Sequence, residues 1–149
     1  MAALTGERDT PCLHHEFPIN YGVATNVKVY NGALCMTSAT GYLVPAADTA
    51  NCKVAGRCQQ TADTTASGPN GVVADGVASA DVMLGVFQYD NPVGANQLTL
   101  ADLGKLAYVL DDHTVIRAAG TVNSIIAGRV LSVDLTNNKA TIDTRVRAV

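Results

Sequence analysis

The sequence has few of the residues that surface helices use. It contains two glutamates, Glu7 and Glu16, and four lysines in 149 residues, while valine and threonine are abundant. Surface helices draw on Glu and Lys, whereas β-branched residues are enriched in strands. The composition therefore predicts a mainly β chain with at most one or two short helical turns. At this length the chain most naturally forms one domain that folds without a cofactor.

Long apolar runs and strong positive charge are also missing. No apolar run reaches the roughly 20 residues that a membrane-spanning helix needs, and residues 1–9 lack the basic and apolar regions of a secretory signal. The formal charge is −3, and Lys and Arg form no basic stripe that would bind a phosphate backbone. We therefore expect a chain that is made in a cytoplasm and kept there until something releases it, with no direct nucleic acid or membrane partner.

Catalytic patterns are absent as well. The sequence contains no G-x-S-x-G elbow and no Walker pattern, and both glutamates precede the first predicted strand. Asp111, Asp112 and His113 would be the acid and base residues of an enzyme. Between two predicted strands, however, this triplet is typical of a turn, because Asp side chains bond their own backbone. We expect a binding or structural module, with no catalytic residue and no cofactor.

The sharpest chemical feature is a run of four metal-binding residue types, Cys12, His14, His15 and Glu16. Its spacing matches no structural zinc pattern. Adjacent histidines in an extended segment point to opposite sides, so they cannot easily chelate one ion. We therefore predict no metal site.

Four cysteines, Cys12, Cys35, Cys52 and Cys58, show no C-x-x-C spacing. In a reducing compartment such thiols are expected to be free and to pack as small apolar groups. The alternative is that Cys52 and Cys58 face each other across a short loop and form a disulfide once the protein meets an oxidising exterior.

The first 25 residues follow neither the helical nor the strand period. We interpret residues 1–25 as an extended N-terminal arm that a partner orders, and residues 26–149 as one β domain. An arm of this kind can add a strand to the edge of a partner's sheet. The arm residues expected to contact the partner are Pro11, Phe17, Pro18, Ile19 and Tyr21.

The first half of the domain reads as short strands separated by turns. Residues 26–30 and 33–36 flank Asn31 and Gly32, a pair that predicts a type I′ hairpin. Further strands are predicted at residues 42–44 and 53–58, with Pro45 at a sheet edge or strand end. Residues 59–71 form a long polar loop in this interpretation. Residues 82–89, apolar on both faces, are predicted to be the central strand.

The stretch from residue 98 to residue 146 is the part around which the chain is organised. Thr99 and Asp102 have the spacing of an N-cap and its acidic partner, and Gly104 ends the turn before a longer helix can form. Strands are predicted directly after this turn and at residues 114–117, 127–133 and 140–146, with residues 111–113 as a loop tip and residues 136–138 as a turn. Together these segments predict a small antiparallel β unit.

This stretch resembles the small capsid decoration, or cement, proteins of tailed bacteriophages and prophages. The resemblance covers about residues 26–146. It depends most on residues 101–109, 111–115 and 126–134, and the outline of residues 29–34 also fits. The signature positions are turn and strand residues, namely Asn31, Gly32, Asp102, Gly104, Tyr108 and Gly128. Residues 52–81 and the arm with its two histidines have no counterpart in the family pattern.

The resemblance implies a small antiparallel β-barrel or β-tulip domain that forms a homotrimer. Such trimers bind the outer surface of the expanded phage head and bridge subunits of the major capsid protein, so the expected location is the virion, after synthesis in the cytoplasm of a bacterial host. The alternative is a low-copy tail, adaptor or host-surface-binding β module of a phage particle, with the polar loop as its recognition tip.

Overall fold

The structure, a computed structural model, describes residues 18–146. Its regular elements are short strands and two 3₁₀ turns, Leu100–Asp102 and Ala118–Gly120. The strands are β1 (Ile19–Gly22), β2 (Lys28–Val29), β3 (Leu34–Thr37), β4 (Leu43–Pro45), β5 (Lys53–Cys58), β6 (Ala62–Asp63), β7 (Ser79–Met83), β8 (Val86–Asp90), β9 (Leu106–Val109), β10 (Val115–Ile116), β11 (Ile126–Asp134) and β12 (Lys139–Asp143). Among these residues, no helix has the length and apolarity that crossing a bilayer requires.

The strands form two five-stranded antiparallel sheets and one short strand pair. The first sheet has the order β1-β7-β5-β3-β4, the second has the order β10-β9-β11-β12-β8, and β2 pairs with β6. Each five-stranded sheet also has one isolated bridge near its two outer strands, Val23 to Leu43 in the first and Asp90 to Thr114 in the second. The predicted mainly β, antiparallel fold is confirmed.

Each sheet has its own buried apolar cluster. Val23, Leu43 and Val82 belong to the first cluster, and Val130 and Ile142 belong to the second. The sheets are joined at β3, because the buried Leu34 side chain packs into the second cluster while its neighbour Cys35 packs into the first. The backbone N–H of Leu34 also donates to Asp112 O at 2.7 Å, which ties β3 to the loop before β10.

The predicted central strand at residues 82–89 is wrong, because the chain changes sheets in the middle of this run. β7 ends at Met83 in the first sheet, and β8 begins at Val86 on the edge of the second. Thr144 holds the crossing point: its hydroxyl accepts from Gly85 N at 2.9 Å, and its N–H donates to Gly85 O at 2.9 Å. Val82 packs into the first core and Phe87 packs against the second, whereas the apolar residues Leu84 and Val86 between them remain exposed.

The Asn31-Gly32 pair makes a turn but not a hairpin. Ala33 N donates to Tyr30 O at 3.1 Å, which closes the turn. Gly32 has φ of +90°, whereas Asn31 is not among the positive-φ residues, so the type I′ prediction is wrong. The flanking strands separate: β2 pairs with β6, and β3 pairs with β4 and β5. A local turn signal could not reveal these long-range partners.

The expected arm boundary at residue 25 is also corrected. Within the described chain, β1 pairs with β7 from Ile19 to Gly22, and Val23 is fully buried. Ile19, Tyr21 and Val23 alternate with Asn20 and Gly22, which is a strand period that the segment is too short to make obvious. Residues 1–17 of the predicted arm lie outside the described residues.

The predicted loop at residues 59–71 is shorter than expected. It contains β6, and Thr64 is fully buried. The Thr64 hydroxyl donates to Ala24 O at 2.7 Å and accepts from Val27 N at 2.9 Å. One polar residue of this segment, Thr64, is therefore buried and bonds the backbone instead of facing solvent.

Other predictions are confirmed. β5 has the predicted bounds, and Pro45 ends the edge strand β4. The 3₁₀ turn, β9, β10, β11 and β12 follow one another at the expected places in the C-terminal stretch, with turns at residues 111–113 and 135–138.

Candidate interaction surface

One buried carboxylate organises the turn between residues 99 and 104. Asp102 Oδ2 accepts hydrogen bonds from Thr99 N at 2.8 Å and from Arg117 Nε at 2.9 Å. A second Arg117 nitrogen donates to Thr99 Oγ1 at 2.9 Å, so the three side chains form a closed network. Burial raises the pKa of Asp102, but the Thr99 N–H and the Arg117 guanidinium outweigh it, and the net pKa lies below the ordinary value.

This network fixes a turn whose leucines face solvent. Leu100 is 66% exposed and Leu103 is 44% exposed. Leu103 is the residue that follows the 3₁₀ turn and comes directly after the buried Asp102. The Asp102 network therefore holds two apolar side chains in a fixed position in water.

A third leucine joins them from β11. Leu131 lies at the bulge between Val130 and Ser132 and is 46% exposed. Gly104 N donates to Val130 O at 2.8 Å, which brings the segment after Leu103 against the segment before Leu131. We call Leu100, Leu103 and Leu131 the leucine corner. The three leucines are exposed on neighbouring backbone segments, and neighbouring exposed apolar groups mark interaction sites more often than single ones do.

An open groove of about 410 Å³ adjoins the leucine corner. Its apolar wall includes Leu98, Leu106 and Tyr108, and Arg117 and Lys105 stand at its polar side. Tyr108 is half-buried, so its ring is accessible from the groove. The groove is lined by Asp102 and Gly104, the residues on either side of Leu103, and by the two cations.

The outer strands give the second kind of contact surface. In β8, Asp90 N points away from the paired strand β12 and donates to His113 O at 2.8 Å. Backbone groups of alternate residues point the same way, so those of Val86 and Gln88 also face away from β12. Both side chains are exposed, and neither is charged. An uncharged outer strand is a template on which another strand can pair.

The candidate acid-base triplet is a loop tip, as the sequence indicates. His113 Nδ1 lies 2.7 Å from Asp112 Oδ1 and 3.1 Å from Asp111 Oδ1, while Asp111 Oδ1 also accepts from His113 N at 3.0 Å. The Asp112 carboxylate raises the pKa of His113 above its ordinary value. This is the one cluster of three potential metal ligands that the described residues bring together, and its bonds are those of a turn.

The remaining predicted residues divide between β1, the turns and the undescribed segment. Pro18 is exposed just before β1, and Ile19 and Tyr21 are half-buried within it. Pro11 and Phe17, like the Cys12-to-Glu16 run, lie outside the described residues. Asn31 and Gly32 lie far along the chain from the leucine corner. The sequence did not indicate the leucine corner, because the exposure of a leucine depends on the tertiary structure.

Comparison of the chain with protein-family models, with curated proteins and with solved structures finds no match to any of them. The surface features above and the resemblance of the sequence therefore provide the basis for a functional proposal.

Proposed function

We propose that the chain is a structural virion protein, a capsid decoration or cement protein that forms a homotrimer on the outer surface of the expanded phage head and bridges subunits of the major capsid protein. The resemblance at residues 101–109, 111–115 and 126–134 suggests this role. The leucine corner is the observation that carries it, because a molecule that works by contact needs a fixed apolar surface rather than a reactive centre.

The signature residues of the resemblance support this surface. Asp102 anchors the turn, Gly104 follows it with φ of +79°, and Tyr108 lines the adjoining groove. Gly128 lies in β11, where a Cβ atom would overlap Asp143 O on β12. These residues have no catalytic arrangement. Asp102 and Gly104 shape the turn of the leucine corner, Tyr108 lines the nearby groove, and Gly128 permits the close approach of β11 to β12, which suits a structural protein.

The barrel-like or tulip-like form is part of the proposal. Its support is the pair of isolated bridges, Val23 to Leu43 and Asp90 to Thr114. Each bridge links the two outer edges of one sheet, which brings these edges together as in a barrel. Each bridge occupies only one end of an outer strand, so Val86 and Gln88 of β8 keep outward backbone groups for pairing with a partner strand.

The test is the copy number of this protein relative to the major capsid protein in purified phage particles, measured by quantitative mass spectrometry. Near-equal copy numbers are expected for a cement protein that covers the shell. Absence from particles would contradict a virion role.

A second candidate is a low-copy tail, adaptor or host-surface-binding β module. It is favoured by the exposed segment after β6, where Val72 is 57% exposed and Val77 is 70% exposed. A handful of copies per particle in the same measurement would support this candidate over the cement protein.

A further inference from the structure

Two buried thiols lie side by side in the first sheet. Cys35 is in β3 and Cys58 ends β5, and both are fully buried in the same apolar cluster. The strands are antiparallel neighbours, with Cys35 opposite Gly56 and Leu34 opposite Arg57. Cys58 N donates to Ala33 O at 2.8 Å, so Cys58 is diagonal to Cys35 on one face of the strand pair.

The two side chains are in contact and differ in chemistry. The Cys35 thiol donates to Ala33 O at 3.8 Å and the Cys58 thiol donates to Gln60 O at 3.0 Å. The interaction between the neighbouring thiols lowers the pKa of Cys58 and raises that of Cys35. Backbone N–H groups of Gln60 and Gln59 further lower the pKa of Cys58. Cys58 is thus the better nucleophile of the two, since the thiolate is the reactive form of cysteine.

The neighbouring thiol Cys52 cannot take the place of Cys35. Cys52 directly precedes β5 and Cys58 ends it, so six steps of extended chain separate their Cα atoms by roughly 20 Å. A disulfide requires Cα atoms less than about 7 Å apart. Diagonal neighbours such as Cys35 and Cys58 lie about 7–8 Å apart, so a small backbone shift closes that pair, whereas Cys52 and Cys58 are far beyond reach. The disulfide between Cys52 and Cys58 that the sequence left open is therefore excluded by the fold.

We propose that Cys35 and Cys58 form a redox-active pair that closes to a disulfide when the folded protein meets a small-molecule disulfide such as oxidised glutathione. This inference does not depend on the proposed virion role. It makes the pair a modification site that responds to passage from a reducing to an oxidising environment.

The reaction proceeds by two exchange steps. The Cys58 thiolate attacks one sulfur of oxidised glutathione, forms a mixed disulfide and releases one glutathione thiolate. Cys35, after losing its proton to that thiolate, attacks the Cys58 sulfur and releases the second glutathione. The two protein thiols are oxidised and one glutathione disulfide is reduced to two thiols. Cys58 is next to the exposed Gln60, so a local opening of this turn gives the oxidant access.

The product would link β3 to β5 and close a loop from residue 35 to residue 58, which contains β4. Closing a loop of this length restricts the unfolded chain. We expect the unfolding equilibrium constant to fall by about a hundredfold on oxidation, in line with typical disulfides.

The experiment treats the folded full chain with oxidised glutathione at pH 8 and follows it by intact mass, non-reducing tryptic mapping and urea unfolding. Cys35 and Cys52 share the tryptic peptide of residues 29–53, whereas Cys58 begins the peptide of residues 58–105. Mapping is therefore done in Cys52→Ser, which leaves Cys35 as the one thiol of its peptide. The comparison variant is Cys52→Ser with Cys35→Ala.

The expected result is a linked pair of these peptides in Cys52→Ser, two mass units lighter than the sum of the two reduced peptides, and a higher urea midpoint that a reductant reverses. In the comparison variant the linked pair should be absent and a glutathione adduct on Cys58 should accumulate. Persistent free thiols at Cys35 and Cys58 in folded Cys52→Ser, or stable adducts on these two residues without an internal link, would overturn the proposal.

Discussion

Asp102 is the residue on which the leucine corner depends. Its carboxylate pairs with Thr99 N and with Arg117 in a buried position, where an unpaired donor or charge costs free energy. We predict that Asp102→Ala lowers the free energy of unfolding by about 1–3 kcal/mol, because Thr99 N and the guanidinium lose their partner. Urea unfolding at pH 7 measures the change.

Lys105 provides the matched control for this substitution. Its ammonium lies 3.6 Å from Asp102 Oδ1, but the side chain is 66% exposed. Ion pairs in water contribute little, so Lys105→Met should change stability by less than about 0.5 kcal/mol. Equal losses in Lys105→Met and Asp102→Ala would contradict the role assigned to the buried network.

His113 should give the protein a small dependence on pH. Its pKa is raised by the bond to Asp112, so folding favours the imidazolium. The resulting stabilisation is fully present below the pKa of the unfolded chain, about 6.5, and is lost as pH rises through the higher pKa of the folded state. The difference in urea midpoint between wild type and His113→Gln should be largest near pH 5.5 and absent at pH 8.5. A pH-independent difference would contradict this mechanism.

At the scale of elements, the pairing of β11 with its neighbours depends on Gly128. β11 has a register shift between Ile126 and Gly128, and a Cβ on Gly128 would lie 2.8 Å from Ile142 Cγ2 as well as overlapping Asp143 O. We predict that Gly128→Ala lowers the free energy of unfolding by about 2–3 kcal/mol or more, since backbone must move. Thermal or urea unfolding tests this.

Gly104 is the natural comparison because its requirement is different in kind. It has φ of +79°, but a Cβ there would meet no atom within 4 Å. Gly104→Ala should therefore cost only the roughly 1–2 kcal/mol of a left-handed non-glycine residue. If Gly104→Ala were the more damaging of the two, close packing between β11 and β12 would not be the controlling factor.

Elements also show why a local pattern can mislead. The run at residues 82–89 has the continuous apolar character of a buried strand, yet Leu84 and Gly85 carry the chain from the first sheet to the second. The residue that fixes the crossing is Thr144, which is 59 positions away from Gly85. No window of sequence around Gly85 contains that information.

For the whole molecule, the leucine corner should control self-association. In the proposed trimer, burial of Leu103 between copies would remove apolar surface from water. We predict that Leu103→Glu leaves the circular dichroism spectrum unchanged but weakens trimer formation at least tenfold in sedimentation velocity, because the carboxylate would be buried without a partner.

Val122 is a suitable control for this prediction. It is 91% exposed in the turn before β11 and does not belong to the leucine corner. Val122→Glu should sediment like the wild type. A monomeric wild type, or equal weakening by both substitutions, would contradict a leucine-mediated trimer.

Sequence alone indicated the mainly β composition, the bounds of β5, the turn at Thr99 and Asp102, and the order of strands after it. These features depend on neighbours within a few residues: β-branched side chains favour strands, an acid accepts bonds from a nearby N–H, and glycine permits a positive φ. The prediction of the loop at residues 111–113 succeeded for the same reason.

Only the tertiary structure decided which strands pair, where the chain changes sheets, which thiol faces Cys58, and which leucines remain in water. Each depends on contacts between segments far apart in the chain, such as β1 with β7 and Gly85 with Thr144. Propensity and period describe how a segment can fold. Burial is settled by the competition among all segments for the same two cores, so the leucine corner and the Cys35–Cys58 pair are properties of the folded molecule.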